Sequence, residues 1–585
     1  MTTRRKRLKP YLESVSDILT YQAVTKILIT IWLYILGRLF RILLNSTGRV
    51  AVSTGDFTFL FTTWQGILII LIAIVSLFIY VALDLNAKII MSKNFLYGEK
   101  VSILKASMEA LDDVKRLFNV EGILVVIYIA LIAPVVGVGL SITLTKGFYI
   151  PTFISSVIMN TPAYLILAII VVIVFAIVGI MNLFLLHGVV VDKMSVKEAS
   201  IQSRQLMHDH WKDYLKQNLL FIGVMAVVLI SVTLVALVLP LALTELLPLS
   251  FSMKRSLTIF FVIEGVLISF LTDLIATPFY IMKMTQLYLE YKTGKDFSYT
   301  ERPIRSYRFF KIMACVALIG IVILTIALNK HFDEVFPLNS SVAIIAHRGG
   351  GNEAAENTVS GVETAYQKGA YGSEIDIQRT KDGHYVINHD GNFARVAGDN
   401  RKPEEMTLAE VKQLSVNGEP IPTLEEILEA SRGKVTLFVE LKGATADQQM
   451  VDDAVRIIKE KKMEDETIII SLKYDLINYL ETKYPEMHSG FLTFASFGDT
   501  AKLNCDYLGL EEESATAGAI SDIHKQGKKA LIWTVNEKGF QRHFLCSKAD
   551  AIITDNITQA NTVKDEIKNR SYLSRMIDTF RGLLG

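Results

Sequence analysis

The stretch Glu374-Ile375-Asp376-Ile377-Gln378-Arg379-Thr380-Lys381-Asp382-Gly383-His384-Tyr385-Val386-Ile387-Asn388-His389-Asp390 decides the fold. Side chains two apart on a strand share a face, so Glu374 and Asp376 point one way and Ile375 and Ile377 the other. Lys381-Asp382-Gly383 is a tight-turn signal, and Tyr385–Asn388 reads as a second strand ending at His389. Similar runs lie on both sides: Val342–Ala346, Thr436–Glu440, Thr467–Ser471, Phe491–Phe494, Tyr507–Leu510, Lys529–Val535 and Ala551–Ile553. Helical patterns such as Thr423–Ala430 and Asp447–Glu460 separate them. Strand alternating with helix predicts a parallel sheet, and eight such repeats close a barrel. The candidates number nine, so one strand of the Glu374–Asp390 pair is expected to be a hairpin arm.

Polar residues gather at the C-terminal ends of these strands, the rim where a barrel of this kind carries its function. His347 and Arg348 follow the first strand, Glu374 and Asp376 line the second, His389 ends the third candidate, and Glu440 and Lys442 end the fourth. Three carboxylates with no cysteine among them suit a hard cation, Mg²⁺ or Ca²⁺. An arginine and a lysine beside such an ion suit a phosphate. Two histidines on opposite sides of the rim suit a general acid and a general base. The pattern predicts metal-assisted phosphodiester cleavage.

The rest of the chain has another character. Of 585 residues 51% are hydrophobic, and the mean hydropathy of +0.37 is too high for a single soluble domain. The net charge of +1 gives no reason to expect nucleic acid as a partner. Three cysteines exclude a disulfide framework, and Cys505 and Cys546 read as buried thiols. Apolar runs at about 23–45, 58–83, 122–145, 162–187, 217–243, 257–283 and 309–329 are each of a length to cross a bilayer. Lys26, Arg38 and Arg41 interrupt the first, which alternatively lies in the interface as an amphipathic helix. Lys and Arg total about 22 in the N-terminus and alternate loops and about 4 in the opposite loops, which puts the N-terminus inside and everything after residue 330 outside. The loops beginning Glu99-Lys100-Val101-Ser102 and Ser195-Val196-Lys197-Glu198 look alike, and each continues as an amphipathic helix.

Residues 342–560 resemble the glycerophosphodiester phosphodiesterase family. The matching pieces are Ala346-His347-Arg348-Gly349, Glu356-Asn357-Thr358, the Glu374–Asp390 stretch, Ile421-Pro422-Thr423-Leu424-Glu425-Glu426, Glu440-Leu441-Lys442, Trp533-Thr534-Val535-Asn536 and Thr554-Asp555. Ala355 and Asn556-Ile557 depart from the usual prolines in two loops. The resemblance implies a polytopic α-helical membrane domain followed by an α/β TIM-like barrel. Glu374, Asp376 and Glu440 correspond to metal ligands, and His347 and His389 to the acid–base pair. Arg348 and Lys442 correspond to phosphate contacts, Glu356 to an acidic residue near His347 or the metal, and Trp533 to an aromatic on the glycerol side. The implied reaction is hydrolysis of a glycerophosphodiester to glycerol 3-phosphate and an alcohol at the outer face of the cytoplasmic membrane. Alternatives are a lysophospholipid or glycerol-phosphate polymer as substrate, with membrane lipid as a partner, or a scaffold or transporter whose barrel only binds phosphodiesters. The expected division is residues 1–330 as a membrane domain of about seven spans, 331–565 as the barrel, and 566–585 as a basic amphipathic helix. In that helix Tyr572, Leu573, Met576, Ile577, Phe580, Leu583 and Leu584 share one face, and Lys568, Arg570, Arg575 and Arg581 lie outside it.

Overall fold

The computed structural model describes residues 2–47, 51–52, 58–99, 102–123, 158–159, 161–297, 308–336, 341–493 and 497–584. The chain divides into two units, one of residues 1–39 and 68–330, the other of residues 40–67 and 331–585.

The first unit is helical. Among the described residues, four stretches are long and apolar enough to cross a membrane: Asp17–Asn45, Trp64–Leu96, Pro162–Asp192 and Val196–Leu246. They take in the expected first, fourth and fifth spans and the second, 58–83, from Trp64 onward. The expected third span, 122–145, falls outside the described residues beyond position 123. The sixth lies within the helix Phe251–Thr293, and the seventh within Arg308–Lys330. The helix Pro162–Met181 buries none of its twenty residues, so its aliphatic side chains require an apolar surround rather than water. The two look-alike loops meet. Ser102 caps Ile103–Leu117, and Ser195 with Glu198 forms a capping box on Val196–Thr233. Lys193, just before the second cap, reaches Asp113 at 2.7 Å and Glu109 at 3.1 Å on the helix that follows the first.

The second unit holds the barrel. Eight parallel strands close on themselves: β1 Ala343–Ala346, β2 Gly372–Arg379, β3 Thr436–Leu441, β4 Thr467–Ser471, β5 His488–Thr493, β6 Tyr507–Glu511, β7 Lys529–Trp533 and β8 Ala551–Thr554. Neighbours in sequence are neighbours in space all the way round, and β8 pairs with β1. The ninth candidate, Tyr385–Ile387, is the hairpin arm, antiparallel to β2 with Ile377 opposite Ile387. Period-two alternation separates two cores. Ile345, Phe438, Ile468, Ile470, Leu492, Tyr507, Leu531, Ala551 and Ile553 fill the interior. Ile375, Ile377, Val439 and Leu441 face outward and pack on helices carrying Val362, Ile427 and Met450. The helix Tyr572–Leu584 packs on the barrel side of the chain: Met576 is fully buried, and Arg575, expected on the polar face, is itself buried. Its guanidinium stacks 4.6 Å over Phe332 and donates to the carbonyl of Phe336.

Candidate active site

Following each strand's inward face to its C-terminal end, or one step beyond, gives the residues of the mouth. His347 follows Ile345, Asp376 follows Glu374, Lys442 follows Glu440, Glu511 follows Gly509, Trp533 follows Leu531 and Asp555 follows Ile553. Asp376 and Glu440 are direct partners across β2 and β3. With Glu374 they form a buried triad whose nearest oxygens all lie within 4.8 Å of one another. Burial pushes the Glu374 carboxyl up to about 8, with the charge of Asp376 adding to it. Burial likewise raises Glu440. Burial also opposes the charge on Asp376, but the Lys442 cation and then the neighbouring His389 ring, with the amide of Asn357, outweigh it and hold that carboxyl low.

Lys442 extends its ammonium to Asp376 at 3.0 Å and to Glu440 at 3.1 Å. Burial works against this charge, yet the surrounding carboxylates raise it above its ordinary value. Asn357 donates to Asp376 at 3.0 Å and accepts the Asp376 N–H at 3.3 Å, clamping it from the other side. To do so it sits in the left-handed region at φ 56°, as does Arg348 at φ 47°. The Arg348 N–H donates to Glu374 Oε2 at 2.8 Å. Glu374 Oε1 is buried without a hydrogen-bond partner. A hard cation needs such carboxylate oxygens converging on one point, and this set fits one.

Each histidine is oriented by its own carboxylate. His347 Nδ1 lies 2.7 Å from Asp555 Oδ1, and His389 Nδ1 lies 2.7 Å from Asp390 Oδ1. Both carboxyls are held below their usual range despite burial, Asp555 by His347 and Asp390 by Arg395 and then His389. The carboxylates therefore accept, the Nδ1–H groups donate, and Nε2 of each ring is left for the site. For His347 that nitrogen lies 3.9 Å from Glu374 Oε2. Burial lowers the His347 imidazolium, but the bond to Asp555 and the charge of Glu374 more than reverse this, and the net shift is upward. Burial, helped by Lys442 and Arg348, takes His389 down to about 4 against the pull of Asp376.

Eight of the nine residues picked out from sequence converge on the β1–β3 side. Trp533 stands apart on β7, where its ring packs at Gly509; a Cβ there would lie 2.4 Å from Leu492 and 3.4 Å from the indole. Glu356, expected at His347 or the metal, instead receives both ends of the Arg395 guanidinium, at 2.6 and 2.7 Å, with Arg348 at 3.6 Å. Arg395 also donates to Asp390 at 2.7 Å, so one arginine ties the His389 carboxylate to the Arg348 partner. Sequence reading missed Arg395 altogether. It quoted Asn357 and Asp555 without a role, although Asp555 lies on the inward phase of β8 and was findable by that count. Glu511, buried in the mouth beside Trp533 as its partner across β6 and β7, was likewise missed.

A family profile described as the membrane domain of glycerophosphoryl diester phosphodiesterase matches residues 5–327. A second, the glycerophosphoryl diester phosphodiesterase family, matches residues 347–559. Glycerophosphodiester phosphodiesterase of Caldanaerobacter subterraneus subsp. tengcongensis is 29% identical over 231 residues, covering 36% of this chain and 93% of that protein. The same-named protein of Bacillus altitudinis is 25% identical over 242 residues, covering 38% of this chain and 99% of its own length. Among solved structures the chain is similar to an Oleispira antarctica phosphodiesterase in complex with the product sn-glycerol-3-phosphate. That match has 26% identity and a TM-score of 0.36, and covers 38% of this chain and 96% of the other.

Proposed function

The chain belongs to the glycerophosphoryl diester phosphodiesterase family, in the form that carries its membrane domain, and from that premise we propose a metal-dependent hydrolysis of glycerophosphodiesters to glycerol 3-phosphate and an alcohol. The observation that carries it is the buried Glu374–Asp376–Glu440 triad flanked by two carboxylate-oriented histidines and two fixed cations. The triad would hold a divalent cation, Mg²⁺ or Ca²⁺, which when bound polarises the phosphoryl oxygens. Arg348 and Lys442 bind the phosphate by charge. One Nε2 takes the proton of the attacking oxygen, and the other gives one to the departing alcohol oxygen. Asp555 and Asp390 keep both rings in the tautomer this requires. Glu356 and Arg395 fix the Arg348 side of the pocket, and Trp533 offers an apolar wall to the glycerol.

The apolar helices and the membrane-domain match make this a membrane protein. We further propose that it crosses several times with the barrel outside, the reading that the asymmetry of Lys and Arg between alternate loops supports. The test is release of glycerol 3-phosphate from sn-glycero-3-phosphoethanolamine by the purified full chain, with and without chelator. Release that stops in chelator and returns with Mg²⁺ or Ca²⁺ is the expected result. Undiminished release in excess chelator overturns metal dependence, and no release under any metal overturns the reaction.

A further inference from the structure

Gln378 is the next inward residue of β2 after two of the triad carboxylates. It shares a strand face with Glu374 and Asp376, while Ile375 and Ile377 pack outward. The side chain is 1% exposed, so its amide must find its partners inside the protein. Nε2 donates to the carbonyl of Asn388 at 2.7 Å and to the carbonyl of Asp390 at 2.7 Å. An amide nitrogen carries two hydrogens, and here both go to the residues on either side of His389.

His389 needs such a hold. The hairpin arm ends at Ile387, and residues 389–392 run in bends without strand or helix pairing. A ring carried on such a stretch is only as well placed as the bonds that fix its main chain. Asp390 turns the ring through Nδ1, but that bond moves with the segment, since both residues belong to it. The ties to the barrel are the Asn388 N–H, which donates to the carbonyl of Asp376 at 3.0 Å, and the Gln378 amide. The Asp390 carbonyl also accepts from Asn388 Nδ2 at 2.5 Å, so two side-chain amides converge on it. The far end of Gln378 is enclosed as well. A Cβ on Gly443, which follows Lys442 at φ 79°, would lie 2.4 Å from Gln378 Oε1.

We propose that Gln378 is a positioning residue for His389, holding the main chain on both sides of the ring so that Nε2 meets the diester. The inference rests on the hydrolytic reading above, in which His389 is one of the two proton-transferring rings. With both N–H groups committed to carbonyls, Gln378 has none to give the phosphate. Its effect therefore falls on the chemical step and not on substrate or metal binding.

The experiment uses the full chain in detergent, with sn-glycero-3-phosphoethanolamine as substrate and a calorimetric metal titration beside the kinetics. Gln378→Met keeps the length of the side chain and removes both donors. It should lower kcat by about 10- to 100-fold, the cost of a small misplacement, with KM and metal affinity each within about twofold of wild type. In a His389→Ala background the same substitution should lower kcat by less than about twofold, because two residues acting through one ring are not additive. Gln378→Asn, which keeps the amide but withdraws it by one methylene, takes its place if the methionine variant does not fold, and the same outcomes apply. Unchanged kcat overturns the proposal, as does a full additional loss in the His389→Ala background, which is the mark of a merely structural role. Weakened metal affinity also overturns it, because Gln378 would then act through Asp376. Absence of turnover in the wild type would instead overturn the hydrolytic reading, so the two failures are distinguishable.

Discussion

Asp555→Asn tests the proton machinery without touching the triad. The side chain has little freedom to move. Its Oδ1 accepts from His347 at 2.7 Å, its Oδ2 accepts from Asn536 at 2.5 Å, and its own N–H donates to Asn536 Oδ1 at 2.8 Å. Its carbonyl accepts from the N–H of Asn352 at 2.7 Å and lies so near Gly351 that a Cβ there would be 2.3 Å away. Asparagine therefore stays in place but cannot satisfy both neighbours. With its oxygen toward His347 it sets two NH₂ groups against each other at Asn536. With its nitrogen toward His347 it stabilises the opposite tautomer. Either way one charge-assisted bond is lost, worth about 1.5–3 kcal/mol, or about ten- to a hundredfold in turnover. KM should change little, because Asp555 does not face the phosphate. The pH profile supplies a second readout. Asp555 helps raise the His347 pKa, so its removal lowers that pKa, and if His347 is the proton donor the alkaline limb of kcat moves to lower pH. The same linkage acts on stability: the pair's contribution is fully present below the unfolded histidine pKa and is lost as pH rises through the folded one. Turnover within about twofold of wild type, with the alkaline limb unmoved, would refute the role given to Asp555 and with it the orientation of His347.

Glu374→Gln or Glu440→Gln should abolish release of glycerol 3-phosphate while the unfolding transition persists, and Asn357→Ala, which frees Asp376, should weaken metal affinity by about 10- to 100-fold in a calorimetric titration. His347→Ala and His389→Ala should each lower kcat by about two to four orders of magnitude with little change in KM; near-normal turnover in either removes that ring from the mechanism. Deleting residues 570–585 removes the buried Arg575 and Met576, so unfolding should occur at lower temperature, with equal loss on soluble and lipid-embedded substrate. A loss confined to the lipid-embedded substrate would instead make that helix a membrane-binding element.

The barrel was legible because a parallel strand buried on both faces is written as a short aliphatic run, and Thr467–Ser471 stands in the structure at the bounds read from sequence. The carboxylate pair on β2 was legible for the same reason: a period of two needs no tertiary information. Lys381-Asp382-Gly383 narrowed the hairpin arm to one strand of a pair, and only the pairing shows that it is Tyr385–Ile387, antiparallel to its neighbour. Arg395 could not be found. It comes from a short helix, Ala394–Ala397, with no pattern of its own, and its importance lies in touching Asp390 and Glu356 at once. In the tail, Arg575 lies outside the apolar set, yet its guanidinium stacks over Phe332, donates to the Phe336 carbonyl and pairs with Asp333, so it is buried, which periodicity alone does not show. The pairing of Ala51 and Val52 with Gly498 and Phe497 was invisible, since two residues of strand pairing across more than four hundred positions leave no local signal.

Charge explains why the pieces belong together. Seven carboxylates line or support the site, those of Glu374, Asp376, Glu440, Asp390, Glu356, Asp555 and Glu511, against the fixed cations of Arg348, Lys442 and Arg395. Arg395 is taken up by Asp390 and Glu356, and Lys442 by Asp376 and Glu440, so the excess falls on Glu374 and its neighbours. Burial first, and then the charge of Asp376, makes Glu374 reluctant to release its proton. A phosphodiester is an anion, and a pocket carrying unbalanced carboxylates in a low-dielectric mouth repels it. A divalent cation on the triad would cancel two of these charges, and the upward shift of His347, held by Asp555 and facing Glu374, works in the same direction. That would leave Arg348 and Lys442 to attract the phosphate against a much smaller opposing charge. On the proposed reading the same carboxylates would hold the ion and, through Asp555, orient His347, so metal affinity, substrate affinity and proton transfer would all depend on one arrangement on β1, β2, β3 and β8.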